Sequence, residues 1–280
     1  MIDASVPRTA VSFFGDARLD EFRSLRREAA TDVASTGLAG LAADLAHAPD
    51  SAERQARMSK AIQHAGFDWL CYWRIVRVGE IVSQAAWFDT YSPRGWPERY
   101  SREQFFDIDP RLTQACRFES PFAWDSDALL LPSSTSRRDE KVRHLGKAMG
   151  QIGLKSGLCF GIPTRNALEH CVIILSSSQQ GSSWIADAKI GEVYAIGVGL
   201  NEFIEERARN LLPTIDAPQL NGLQHAILRH VTEGLSDREI AEHLSISAHN
   251  IGYHLRQLKK IFNAQSRVQL AYLAGCILED

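Results

Sequence analysis

The sequence predicts an α+β protein, and three observations lead to this fold class. Four runs rich in aromatic and β-branched residues are typical of paired antiparallel strands: 67–76, 81–88, 158–163 and 171–175. Around these runs, apolar residues recur at spacings of three and four, which is typical of amphipathic helices. The last 60 or so residues carry only the helical pattern. We therefore expect an N-terminal α-β-α sandwich around an antiparallel sheet, followed by a C-terminal domain of four helices.

Composition shifts divide the chain into four segments. They are an N-terminal extension (1–36), a sandwich domain (37–210), a linker (211–219) and a helical domain (220–280). The extension is charged and weakly patterned. The linker contains Pro213 and Pro218, which interrupt regular structure. The sandwich domain ends in a long helix predicted from 184 to 210.

Composition also excludes several classes of protein. The chain has 280 residues, a net charge of −3 and 45% hydrophobic residues, which is ordinary for a globular protein. It has no apolar run long enough to span a membrane, and its N-terminus lacks the apolar core of a signal peptide. The five cysteines are scattered and the nine histidines show no metal-binding spacing. We expect a cytoplasmic protein with reduced thiols, no metal, no cofactor and no catalytic residues.

Capping patterns indicate where the C-terminal helices begin. Ser236 with Glu239, and Ser266 with Gln269, have the spacing of a capping box, in which each side chain bonds to the other residue's backbone N–H. Ser247 can cap the helix between them. Two short helices joined by a tight turn are typical of a helix-turn-helix.

The third C-terminal helix is predicted to bury one face and leave a basic face free. Its apolar stripe is Ile251, Leu255, Leu258 and Phe262. Between residues 245 and 270 there are four basic side chains and no acidic one, although the whole chain is acidic. Such a face indicates contact with phosphates, although a solvated face of an ordinary helical bundle is the other interpretation. The candidate DNA-binding residues are Asn250, Tyr253, His254, Arg256, Lys259 and Lys260.

Aromatic residues concentrate in the middle of the sandwich domain, where five of the six tryptophans lie between 69 and 124. Asp109 is bracketed there by apolar residues, and a buried carboxylate needs a donor partner. Aromatic walls with a few fixed polar groups suit a small amphiphilic ligand. From residue types alone, core packing and a helix cap at Asp109 explain the same pattern, so both interpretations remain open.

The C-terminal run from LSDREIA to LAYLA resembles the DNA-binding domain of LuxR-type transcription regulators. The matching positions are Gly234, 238–241, Leu244, 246–247, Ile251, His254, Arg267 and Gln269. Gln224 and Gly252 depart from the family, which usually has an acidic residue at the first position and a cation at the second. Arg256, one turn after Gly252, is then the candidate base-reading residue, since arginine can bind guanine through two hydrogen bonds.

The middle of the chain resembles the autoinducer-binding domain of the same family. The pattern is Trp96-x3-Tyr100-x8-Asp109-Pro110-x13-Trp124, followed by Gly157. The resemblance covers about residues 37–275 and implies that an N-acyl-homoserine lactone is bound. It implies that Trp96 donates to the lactone carbonyl, that Asp109 accepts the amide N–H, that Tyr100 donates to the acyl carbonyl or lines the chain pocket, and that Trp124 packs on the lactone ring. Pro110 and Gly157 belong to the motif as structural residues.

Two further positions of the family's site are ambiguous in this sequence. The family usually has a tyrosine four residues before the tryptophan, where this chain has Ser92, with Tyr91 one position away. A small polar residue on the last pocket strand corresponds to Ile174 or Ser176. We include Tyr91 and Ser176 among the expected ligand contacts.

The resemblance implies a quorum-sensing transcription regulator that binds a two-fold symmetric promoter site as a homodimer, with RNA polymerase as a candidate partner. Dimer contacts are expected from the 184–210 helix and the fourth C-terminal helix, although the long helix could equally pack inside its own domain. One alternative is a LuxR-type regulator that responds to a non-lactone signal. Others are an output domain joined to a phosphorylatable receiver, and a lactone-hydrolysing enzyme, for which Asp109, His170 and Cys171 offer no recognised spacing.

Overall fold

The computed structural model describes residues 10–20, 40–78, 81–118, 120–130, 136–164, 168–208, 220–262, 264 and 266–278. The chain divides into two compact units, one formed by 1–164 with 170–213 and the other by 165–169 with 214–280. The predicted linker and most of the predicted N-terminal extension lie outside the described residues.

The larger unit is built on a six-stranded sheet. Its strands are β1 (Ala10–Phe14), β2 (Trp69–Val78), β3 (Ile81–Phe88), β4 (Phe122–Asp125), β5 (Ser156–Ile162) and β6 (Glu169–Ser177). Their order across the sheet is β1-β3-β2-β6-β5-β4. The α+β class is confirmed, and four strands lie where the sequence predicts them.

Two edge strands were not predicted, and one of them changes the type of sheet. β1 pairs with β3 in parallel, so the sheet is mixed and the expectation of a wholly antiparallel sheet was wrong at this edge. β1 comes from the segment interpreted as an extension. Arg54 helps to hold this segment, because its buried guanidinium donates to Asp16 at 2.9 Å, just after the strand. Burial raises the pKa of Asp16 above its ordinary value despite this neighbour.

Seven α-helices accompany the sheet in the part of the larger unit that the structure describes. They are α1 (Asp16–Leu19), α2 (Gly40–Ala46), α3 (Ser51–His64), α4 (Trp96–Arg102), α5 (Pro110–Phe118), α6 (Arg137–Gln151) and α7 (Asp187–Ala208). α3 begins directly after Asp50, which caps the helix because its carboxylate accepts the backbone N–H of Glu53 at 2.9 Å.

The sheet separates two cores, because successive side chains of a strand point to opposite faces. One core packs residues such as Tyr72, Phe88 and Phe160 against α3 and α7. The opposite core packs tryptophans against α4, α5 and α6. We call this second side the aromatic face and define it by Trp73, Trp87, Trp96, Tyr100 and Trp124. The expected α-β-α sandwich is thus present.

The smaller unit contains four helices within its described residues, as predicted. They are α8 (Gly222–Thr232), α9 (Asp237–Leu244), α10 (Ala248–Ile261) and α11 (Arg267–Leu278). The capping box of Ser236 and Glu239 forms at the start of α9. A second box, of Asn221 and Gln224, starts α8. Gln224 therefore supports a helix terminus at the position where the family usually has an acidic residue.

Among the described residues, no helix is both long and apolar enough to cross a membrane. The same residues contain no group of three or more His, Cys, Asp or Glu side chains that could hold a metal ion. The four cysteines whose side chains are described, Cys71, Cys116, Cys159 and Cys171, are free.

Candidate ligand site and nucleic-acid interface

Asp109 lies fully buried at the start of α5, and its carboxylate is the polar centre of the aromatic face. Oδ2 accepts the hydroxyl of Tyr100 at 2.8 Å and Nη2 of Arg111 at 2.7 Å. Oδ1 accepts the backbone N–H of Arg111 at 2.9 Å and its Nε at 3.0 Å. The donor partner that a buried carboxylate requires is therefore supplied by the chain itself.

Arg111 is the residue of this site that sequence reasoning missed. Only 4% of it is exposed, and its guanidinium carbon lies 4.6 Å from the centre of the Trp124 ring, a cation–π distance. Burial disfavours the charged form, but the charge and hydrogen bonds of Asp109 outweigh it and raise the pKa of Arg111 above its ordinary value. The spacing Asp-x-Arg at a helix start lets one carboxylate accept both the backbone N–H and the guanidinium of Arg111, but the sequence gives no sign that this arginine is buried.

Tyr100 and Trp96 occupy successive turns of α4 and are both nearly inaccessible to solvent. Their rings make an edge contact at 5.6 Å. Burial, reinforced by the charge of Asp109, raises the pKa of Tyr100 well above its ordinary value, so the phenol stays protonated and donates. The structure thus brings Trp96, Tyr100 and Asp109 together, with the Tyr100 hydroxyl directed at Asp109.

Trp124, Gly157 and Ser176 face one another across strands β4, β5 and β6. A Cβ on Gly157 would lie 2.0 Å from the carbonyl oxygen of Leu175 and 2.7 Å from the Trp124 ring, so only glycine fits there. The indole Nε1 of Trp124 is buried and finds no hydrogen-bond partner in the part of the chain that the structure describes. A buried N–H without an acceptor is costly, so this donor is free to bind an acceptor on a ligand.

The structure corrects the assignment of Tyr91 to the ligand contacts. Tyr91 packs in the core on the other side of the sheet, with its ring 5.6 Å from that of Phe88. Ser92 takes the aromatic face instead, where its hydroxyl accepts Nε1 of Trp87 at 3.1 Å. At the other ambiguous position, both candidate residues face the same side of the sheet. Ile174 and Ser176 are two residues apart on β6 and therefore share one side of the strand.

A groove of about 500 Å³ opens beside the site. Ile108 and Pro110, the two neighbours of Asp109, contribute to its lining together with side chains of α5 and α6. Trp96 and Trp124 are not among the described residues that line it. The groove therefore reaches the backbone around Asp109 from the outer side of α5.

The candidate recognition helix, α10, carries the predicted DNA-binding side chains. Asn250, Tyr253, Arg256 and Lys260 are exposed, and His254 and Lys259 are partly exposed. Within the described residues, neither Arg256 nor the two lysines pair with a carboxylate. Nη1 of Arg256 lies 3.7 Å from the point where a Cβ of Gly252 would stand, so the guanidinium extends back over the glycine.

Arg267 does not belong to this basic face, although its charge contributed to the sequence pattern. It forms an ion pair with Asp237 and donates to the carbonyl of Leu235, which joins the start of α11 to the start of α9. The basic face of α10 consequently has three unpaired cations among the described residues, Arg256, Lys259 and Lys260.

Comparison with known proteins identifies both units. The family described as the autoinducer binding domain matches residues 50–201, and the family described as bacterial regulatory proteins, luxR family, matches residues 223–274. The chain is 26% identical to the transcriptional activator protein SolR of Ralstonia solanacearum over 238 residues, which is 81% of this chain and 93% of SolR. It is 25% identical to the quorum-sensing regulator RhlR of Pseudomonas aeruginosa over 245 residues, covering 85% of this chain and 94% of RhlR.

Solved structures agree on the fold. A crystal structure of Escherichia coli SdiA has a TM-score of 0.53 and 19% identity, and the match covers 84% of this chain and 93% of SdiA. The class that these observations define is a transcription regulator with an autoinducer-binding domain and a helix-turn-helix DNA-binding domain. The chain belongs to the LuxR family of quorum-sensing regulators. Because its relatives are regulators, the prediction that it is not an enzyme is confirmed.

Gly157→Ala tests the packing of Trp124 on β5. The added methyl group meets a backbone carbonyl and the indole ring, so we expect a loss of stability of about 1–3 kcal/mol, as for other overpacked cores. Urea unfolding of the full chain measures it. Gly191→Ala, an open position in helix α7, is the control and should be neutral or slightly stabilising. Equal stability of the two variants would contradict the close approach.

Proposed function

We propose that the larger unit binds an N-acyl-homoserine lactone on its aromatic face, and that this binding controls transcription. The observation that carries the proposal is the buried Nε1–H of Trp124, which has no acceptor among the described residues and lies beside the Tyr100–Asp109–Arg111 cluster. A lactone offers carbonyl oxygens to such a donor and an acyl chain to the surrounding apolar walls. Trp96, Tyr100, Asp109, Trp124 and Ser176 are the proposed contact set, with Gly157 making room for Trp124.

A second candidate is a LuxR-type regulator that responds to a non-lactone amphiphile. The bonds that Tyr100 and Arg111 make to Asp109 favour it, because they already use the carboxylate that would accept a ligand amide. Another SdiA structure, with a TM-score of 0.55, is a complex with octanoyl-rac-glycerol. That ligand belongs to SdiA, and it makes acylglycerols a reasonable addition to any panel of compounds.

The smaller unit is proposed to bind a two-fold symmetric promoter site as a homodimer in the cytoplasm, with RNA polymerase as a candidate partner. One recognition helix reads only a few base pairs, so a dimer on two half-sites gives the necessary specificity. Helix α11 supports a dimer, since Val268 is 79% exposed and Tyr272, one turn later, is 55% exposed. Adjacent exposed apolar side chains on a helix are typical of an interaction surface.

The proposed ligand should stabilise the protein against heat. A ligand that binds only the folded state at about 100 times its Kd adds about 2.7 kcal/mol of stability, which raises Tm by roughly 5–10 °C for a domain of this size. Differential scanning fluorimetry with lactones of short, medium and long acyl chains measures the shift. Each ring-opened N-acyl-homoserine serves as the matched control and should give a smaller shift. No shift with any lactone would refute the proposed ligand class.

Two substitutions on α10 separate base reading from phosphate contact. After selection of a preferred site from random duplexes, Arg256→Ala should lower affinity for that site by about 1–3 kcal/mol and leave affinity for unrelated DNA nearly unchanged. Lys259→Ala should weaken binding to both kinds of DNA and reduce the slope of log Kd against log salt by about 1. Arg229→Ala removes an exposed cation from α8 and is the control. A uniform loss for Arg256→Ala would contradict its assignment to a base.

A charge on α11 should disrupt the proposed dimer. Tyr272→Glu places a charge on the exposed side of α11 and should convert the complex with the two-fold site into a weaker, monomeric one, while binding to a single half-site persists. Analytical ultracentrifugation of the protein with each DNA distinguishes the two. Phe118→Glu, which alters a 66% exposed aromatic residue of the larger unit, is the control. An unchanged sedimenting mass for Tyr272→Glu would exclude this face of α11 from the interface.

A further inference from the structure

The carboxylate of Asp109 already has a full set of hydrogen-bond donors from its own chain. An ionised carboxylate offers about four lone-pair sites. Four donors fill them: the Tyr100 hydroxyl, the Arg111 backbone N–H, and Nε and Nη2 of Arg111. A ligand N–H reaches this carboxylate only if one of these bonds is broken.

The polar groups that remain available at the site are donors. Nη1 of Arg111 makes no hydrogen bond among the described residues, in contrast to Nε and Nη2 of the same guanidinium. Nε1 of Trp124 is buried without a partner, and the guanidinium carbon lies 4.6 Å from the centre of that tryptophan ring. Nη1 of Arg111 and Nε1 of Trp124 therefore have no hydrogen-bond partner among the described residues, and each is a donor complementary to a carbonyl oxygen.

Charge balance narrows the kind of acceptor that fits. Arg111 and Asp109 neutralise each other within 2.7 Å, and their side chains are 5% and 0% exposed. An anionic ligand would bring an uncompensated charge into this dry environment, which is strongly unfavourable. A neutral carbonyl oxygen satisfies the donors without such a charge.

We propose that Arg111 is the specificity-determining residue of this domain and that it receives the carbonyl oxygen of the ligand's head group. The accepted class is then neutral acylated lactones and esters that carry this carbonyl, and a ligand amide N–H is dispensable. The inference rests on the proposed function, because it concerns the same site and the same kind of amphiphile. It differs from the role that the family resemblance implies, in which Asp109 selects ligands by their amide N–H.

Three compounds with the same acyl chain separate the two modes of recognition. The first is the N-acyl-homoserine lactone. The second is its ester analogue, the α-acyloxy-γ-butyrolactone, which lacks the amide N–H. The third is the N-cyclopentyl amide, which keeps the N–H and lacks the lactone carbonyl. Isothermal titration of the full chain gives the three dissociation constants.

We expect the two lactones to bind within about threefold of each other, and the cyclopentyl amide to bind at least tenfold more weakly, because it leaves a charged donor unpaired. An ester analogue that is tenfold weaker than the amide lactone, with full affinity of the cyclopentyl amide, would overturn the inference and leave the proposed function standing. Failure of all three compounds to bind would overturn both.

Variants test the residue itself. Arg111→Gln alone leaves Asp109 buried without a counter-charge and endangers folding, so Asp109→Asn/Arg111→Gln removes both charges together. The double variant should lose the preference for the lactone carbonyl, with less than a threefold difference between the lactone and the cyclopentyl amide. Arg102→Gln, at the end of helix α4 with a 71% exposed side chain, is the control and should keep the tenfold preference. A tenfold preference retained by the double variant would show that Arg111 does not read the carbonyl.

Discussion

The ion pair between Asp109 and Arg111 fixes the polar geometry of the aromatic face. Two charges withdrawn from water are tolerated only when their attraction is supplemented by hydrogen bonds that use the remaining donors and acceptors. Here the Tyr100 hydroxyl and the Arg111 backbone N–H complete the hydrogen bonding of the Asp109 carboxylate. This requirement ties α4 to the start of α5, and the cation–π contact ties α5 to Trp124 on β4. Three separate elements are therefore positioned by one buried pair.

The second constraint is the sheet, which decides which side chains can meet. Alternation along β5 and β6 places Gly157 and Ser176 opposite Trp124, and the missing side chain of Gly157 lets the indole lie against the strand. Tyr91 and Ser92 lie in the turn that follows β3, and the two side chains pack on opposite sides of the sheet. Position 92 faces the aromatic side, although it carries a serine.

Local signals in the sequence were sufficient to predict the helices and to single out the motif residues. The capping box at Ser236 predicts the start of α9 because its two residues are only three positions apart in the sequence. The parallel pairing of β1 with β3 joins residues more than 70 positions apart and leaves no local pattern. Arg111 was missed for a different reason, since an arginine at a helix start resembles an exposed residue. Its burial follows only from the tertiary position of Asp109 and Trp124.

The same geometry limits how strongly ligand binding can drive folding of the larger unit. Because Tyr100 and Arg111 satisfy the carboxylate of Asp109, the folded domain does not need a ligand amide to stabilise that charge. The unsatisfied group is the N–H of Trp124, and an unpaired buried donor costs about 1–3 kcal/mol. A ligand acceptor recovers about this amount, and the apolar surface of the acyl chain adds roughly 25 cal/mol for each Å² that it buries. For the proposed lactone ligand, the acyl chain and not the amide is therefore the part that sets how far binding shifts the folding equilibrium.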